Sequence, residues 1–230
     1  METKLYYMLA LTVSRTFEGV SLALEQGLDC LRLCRTDNLG IRDVVPALML
    51  ILGQHQACYD FLKWWATFDP TGTADLMDLS LPMFTVKNAR MMEEIPEGFF
   101  SGRTSVFHWA ALAFIKIEVA FEAVTAVDMK EETDRETPGL IDNLMSFLSS
   151  TPLTNSLIEK QTKRMKNAAA DAIFMAMELN KHYWPNVLDP HSLSGDVGPG
   201  FYQHGDLFED PIRKDPIRKD FISIFLNGMA

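Results

Sequence analysis

From Leu28 to Asp69 the chain reads LDCLRLCRTDNLGIRDVVPALMLILGQHQACYDFLKWWATFD, three strongly apolar segments parted by breaks at Asp37-Asn38 and Gly53. Segments this short and this oily do not persist alone in water, so each has to be buried against its neighbours. The spacing predicts three helices: one ending near Arg35, one from Leu39 to Leu52, and one from about Gln54 to Thr67. Val44 to Leu52 has the composition of a buried strand, but its length, the cap at Asn38 and the Leu52-Gly53 stop favour a central helix. Pro46 either kinks that helix or marks where its regular part begins. Gly53 suits a left-handed position just past the helix end.

The same periodicity organises the rest. Tyr6, Leu9 and Val13 predict one side of a short first helix. Thr16 is the expected N-cap of a longer second one, with Phe17, Val20, Leu24, Leu28 and Leu31 as its inner stripe. Gly27 within it predicts the close approach of a neighbour. In the segment after Gly53, Ala57, Cys58, Phe61, Leu62 and Trp65 form the inner arc, with Gln56, Asp60 and Lys63 outward. Trp64 and Trp65 lie about 100° apart on the helix, one for the core and one for an edge. Residues 70–104 lose periodicity but keep Met77, Leu79, Leu81, Met83 and Phe84, which predicts an ordered loop over the helices and not a free linker.

Helix resumes near Thr104-Ser105 and is expected to run amphipathically to Lys130. Leu140 to Leu148 is a short helix candidate, Asn155 to His182 a long one with a basic face of Lys160, Lys163, Arg164 and Lys166. After Asp189-Pro190 the chain is rich in Gly and Pro, and Asp210–Lys214 is duplicated by Asp215–Lys219. The fold expected is therefore all-α: stacked antiparallel helix pairs over residues 1–190, a long ordered loop, and an irregular tail over 191–230.

Composition narrows the function classes. A hydrophobic fraction of 47% supports a sizeable core, and a net charge of −10 disfavours nucleic acid and anionic membranes as partners. No apolar run approaches the ~20 residues needed to cross a bilayer, and the N-terminus lacks a clean signal-peptide pattern, so a cytoplasmic location is expected. Thirteen Met residues suit helical cores and adaptable protein-binding grooves alike.

Chemistry-bearing patterns are sparse. Cys30, Cys34 and Cys58 are embedded in apolar helix and read as buried thiols, not as zinc ligands or a disulfide framework. Glu118 and Glu122 share a face without the Glu-x-x-His partners of a carboxylate metal site. No Gly-x-Ser-x-Gly elbow or phosphate-binding glycine loop occurs, and the histidines, His55 and His108 among them, read as helix-end or surface residues. No cofactor or metal is expected. Trp64 and Trp109, with Tyr59 and Phe107, are the candidate anchors for a partner protein or peptide on a concave face. A hydrolase site where His108 or Asp78 meets the 70–104 loop is the alternative.

The run DNLGIRDVVPALMLILGQHQACYDFLKWW resembles divergent tetratricopeptide-like helix pairs that carry an Asp-Asn-x-Gly-Ile/Val-Arg turn, an apolar helix, Leu-Gly-Arg and Glu-x-Ala. It is especially similar to an uncharacterised fungal and algal group often associated with a MYND-type zinc finger, and HYWPNVLDP resembles that group's closing segment. Asp37, Asn38, Gly40 and Arg42 match the first inter-helix turn, Leu52-Gly53 the next, and Ala57 the small packing residue, while Gln54 stands where Arg is usual. The resemblance covers roughly residues 16–190 and implies a helical-repeat architecture and protein binding. Three cysteines are too few for the finger, and the tail beyond about residue 205 departs from the group.

Overall fold

The computed structural model describes residues 2–13, 16–69, 73–78, 80–130, 155–181 and 183–184. Their helices are α1 (Glu2–Val13), α2 (Phe17–Leu33), α3 (Ile41–Ile51), α4 (His55–Thr67), α5 (Val106–Lys130) and α6 (Asn155–Leu179), with a 3-10 turn at Glu97–Phe100. Among the described residues there is no strand. The architecture is an all-α, multi-helix bundle. The short helix expected at Leu140 to Leu148 and the tail with its duplicated pentapeptide lie outside the described residues.

Local chemistry sets the helix ends. Thr16 Oγ1 accepts from Gly19 N at 3.0 Å and caps α2. The carboxylate of Asp37, not the exposed side chain of Asn38, opens α3: it accepts from Ile41 N at 2.7 Å and Arg42 N at 3.0 Å. Burial pushes the Asp37 carboxyl above its ordinary value despite those bonds. Gly40, at φ +69°, provides the left-handed step into the helix. At the other end of α3, Gly53 has φ +70°; Gln54 N donates to Met49 O and Gly53 N to Leu50 O. That pair of bonds is a Schellman stop, which leaves three residues between α3 and α4.

Helices pack on their neighbours in chain order, α1 on α2, α2 on α3 and α3 on α4, while α5 contacts α3, α4 and most extensively α6. Gly27 makes the expected close approach, since a Cβ there would lie 3.1 Å from Met8 Sδ and 3.2 Å from Val45 Cγ2. Three inner arcs differ from expectation. On α1 it is Met8, not Tyr6, that is buried, and on α2 Phe17 is exposed although the rest of its stripe is inside or at the edge. On α4, Ala57 faces out and Asp60 faces in, because the 70–104 loop returns over that side of the helix and takes up its carboxylate. Helix α5 is not amphipathic: every residue from His108 to Ala120 is buried, Lys116 and Glu118 included, while Phe121 is exposed. Surrounded by α3, α4, α6 and the loop, it has no solvent face along that stretch.

Candidate functional site

Residues 88–96 cross α4 and α5 as a strap held from below by buried polar side chains. Asp60 accepts from Asn88 N and Ala89 N, both at 2.8 Å, and from Gln56 Nε2 at 3.1 Å. Gln56 Nε2 also donates to Ala89 O at 2.9 Å. Asn88 sits at φ +53°, a left-handed turn that asparagine tolerates better than most residues. One helix over, Lys116 has no exposed surface, and its Nζ donates to Met91 O and Glu93 O, each at 2.6 Å. A third clasp joins the strap to α4: Glu93 Oε1 accepts from Tyr59 Oη at 2.7 Å and Lys63 Nζ at 2.6 Å. The bonds from Asp60, Gln56 and Lys116 satisfy backbone groups that burial would otherwise leave costly.

The electrostatics follow from that burial. Desolvation lowers Lys116 to about 8, with Glu93 opposing the shift and Lys63 adding to it. Lys116 Nζ also lies 4.9 Å from the centre of the Tyr59 ring, a cation–π arrangement. Tyr59 is pushed well above the usual phenol range, first by burial and then by its bond to the Glu93 carboxylate. Both groups face inward, so they fix the strap in place and offer nothing to a molecule outside.

Where the strap meets α6 the surface opens into a cleft of about 420 Å³, lined by Lys63, Arg90, Met92, Glu93, Glu94, Ile95, Pro96, Gln161 and Arg164. Arg164 Nη2 pairs with Glu94 Oε1 at 2.6 Å across its mouth, and Glu94 is 78% exposed. Gln161 Oε1 is buried and meets no donor among the described residues. Met92, Ile95 and Pro96 supply an apolar wall, so the cleft can take an apolar side chain flanked by polar or charged ones.

A second polar junction lies between α3 and α5. Ser105 Oγ donates to Asp43 Oδ1 at 2.8 Å, and His108 Nε2 lies 3.0 Å from Arg42 O and 3.8 Å from Asp43 Oδ1. A carbonyl only accepts, so Nε2 carries the hydrogen. Serine, histidine and aspartate thus meet, but the serine hydroxyl is bonded to the carboxylate, and the histidine nitrogen near it is already a donor. Nucleophilic catalysis needs the reverse, a histidine lone pair facing the hydroxyl. Asp78 is not part of this group; its carbonyl accepts from Arg35 Nη1 at 2.8 Å on the outer part of the loop. His55 opens α4 and His108 stands in the first turn of α5, so both are helix-end histidines, but neither lies on the surface: His55 Nδ1 is 2.8 Å from Glu118 Oε2, and His108 is buried, which lowers its pKa.

Three of the four expected partner anchors are core residues. Tyr59, Trp64 and Trp109 are 0%, 2% and 1% exposed, and Phe107 is half-buried with its ring edge-on to Tyr183. The Trp64 ring stacks on Phe68 at 4.4 Å, and Trp109 meets Phe99 and Phe100, so their area serves packing and not a groove. Trp65, beside Trp64, is the edge residue of the pair. The thiols of Cys30 and Cys58 are buried and Cys34 is half-buried, all three free. Among the described residues no group of three or more His, Cys, Asp or Glu side chains is arranged to hold a metal. No helix among the described residues is long and apolar enough to cross a membrane.

Periodicity did not reveal the cleft, its supports Asp60, Glu93 and Lys116, or its lining residue Gln161. The one legible trace was the basic face of α6, from which Arg164 reaches the cleft. Compared with known proteins, the sequence matches no family model, no curated protein and no solved structure.

Proposed function

We propose that this protein is a non-catalytic helical scaffold that binds a partner protein by taking one of its segments into the cleft between the strap and α6. The observation that carries the reading is that a solvent-open cleft has a wall fixed by Asp60, Lys116, Tyr59 and Lys63. A wall made of loop is normally the mobile part of a helical protein, and holding it with buried bonds lowers the ordering cost of binding. The finer reading, a tetratricopeptide-like platform, is supported by helices packed in chain order and by turns built on Asp37, Gly40 and Gly53.

The hydrolase alternative has less to support it. Ser105, His108 and Asp43 are bonded as a helix junction, and Lys116, whose pKa suits proton transfer, is sealed beneath the strap.

The test is a displayed random-peptide library panned against the full chain and, in parallel, against Gln161→Trp, which fills the cleft from the α6 side. The reading expects peptides that bind the parent and lose binding to Gln161→Trp while both proteins melt alike. Peptides that bind both equally, or a library that yields no binder, would overturn it.

A further inference from the structure

The cleft lies on an acidic chain but is locally basic. Lys63, Arg90 and Arg164 line it against two carboxylates, Glu93 and Glu94, and Lys160 stands one helical turn before Arg164 on α6. The two carboxylates differ in standing. Glu93 is tied to α4 by Tyr59 and Lys63 and so belongs to the wall. Among the described residues Glu94 is held by Arg164 alone, at the mouth and mostly in water, where an ion pair contributes little. Its carboxylate occupies the place that a ligand carboxylate would take on Arg164.

We infer that the segment the cleft accepts is an acidic peptide with interspersed apolar residues, whose carboxylates replace Glu94 on Arg164 and extend toward Lys160. The inference rests on the binding role proposed above. Charge complementarity selects the acid, and Met92, Ile95 and Pro96 select the apolar residues between the acids. A nucleic acid fits less well, because its continuous backbone charge meets a protein whose net charge is −10 even with this basic strip included.

The experiment measures fluorescence anisotropy of labelled peptides of equal length on the full chain: Glu alternating with Leu, Lys alternating with Leu, and Ser alternating with Leu. A single-stranded oligonucleotide is the anionic control. The Glu-Leu peptide is expected to bind about tenfold tighter than the Ser-Leu peptide, to lose about tenfold in Arg164→Ala, and to weaken with added salt. Glu94→Gln is expected to tighten it a few-fold, a gain that damage to the fold cannot produce. If all peptides bind equally and lose binding in Gln161→Trp, the acidic preference is wrong while the cleft stands as a binding site. If no peptide responds to Gln161→Trp, both fall. Oligonucleotide binding that depends on Arg164 and exceeds that of the Glu-Leu peptide overturns the peptide in favour of nucleic acid.

Discussion

His108 supplies the hydrogen bond that Pro46 takes away. Proline lacks the N–H that would bond the carbonyl four residues earlier, which on α3 belongs to Arg42, and His108 Nε2 on α5 donates to that carbonyl at 3.0 Å. A proline in the middle of a buried helix is thereby accommodated, and α3 is joined to α5 at a fixed register. Replacing His108 by Ala leaves the carbonyl unpaired and opens a cavity, at a cost of about 2–3 kcal/mol. In a Pro46→Ala background the restored N–H can serve Arg42, so the same substitution is expected to cost about 1 kcal/mol less. Urea unfolding of the four proteins measures the difference; an identical cost in both backgrounds would separate the two residues.

Acid sensitivity follows from the same histidine. Burial lowers its pKa below the ordinary 6.5, although Asp43 pulls the other way. As pH falls below that ordinary value, the unfolded chain takes up a proton that native His108 resists, so stability falls with acid. His108→Gln keeps a donor and cannot titrate. The slope of stability against pH just below 6.5 is expected to be shallower in that variant, and an unchanged slope would assign it to other groups.

Asp60→Ala removes the acceptor from two strap amides at once, Asn88 N and Ala89 N. The expected loss is about 2–3 kcal/mol, concentrated in the strap and not spread through α3. Limited trypsin digestion reports it at Lys87 and Arg90, where cleavage is expected to rise about tenfold while the one site on α2, Arg32, changes little. Equal acceleration at all sites would mean that Asp60 holds the whole bundle.

Lys116 predicts an alkaline window. Its folded value is about 8 against an ordinary 10.5, so between the two the unfolded chain holds a proton that the native chain has released, and stability rises with pH. The neutral amine still has two N–H groups for Met91 O and Glu93 O, so the clasp survives deprotonation. Tyr59 reverses the trend above the ordinary phenol value of 10, because its folded pKa is raised and only the unfolded chain ionises there. Melting temperatures from pH 8 to 10 are expected to climb in the parent relative to Lys116→Met, and parallel curves would contradict this.

The helices were legible because their ends carry their own chemistry. Thr16, Asp37 and Gly53 act on backbone groups within five residues, and such short-range bonds are visible in spacing alone. Part of the 70–104 loop was legible too: among its described residues Phe84 packs on Phe61 and the core, and Leu81 and Met83 are half-buried, but Met77 is 74% exposed. What periodicity could not show is where charged residues on buried faces find partners. Asp60, Lys116 and Glu118 look like solvent residues in sequence, and what places them inside is backbone or side chains 20 or more residues away: Ala89, Met91 and His55. Tyr59 and Trp109 lie in the core for the same reason. Tyr59 and Trp109 are covered by the strap and by the 3-10 turn, a return of the chain that composition does not locate.

The central claim is that the fixed strap and α6 form one binding face. The most direct test is amide hydrogen exchange on the full chain, with and without a peptide selected on the parent. Added protection is expected to be confined to residues 90–96 and to α6 around Gln161 and Arg164, with α1 and α2 unchanged. Protection appearing on α1 and α2 instead, with the strap unaffected, would contradict it.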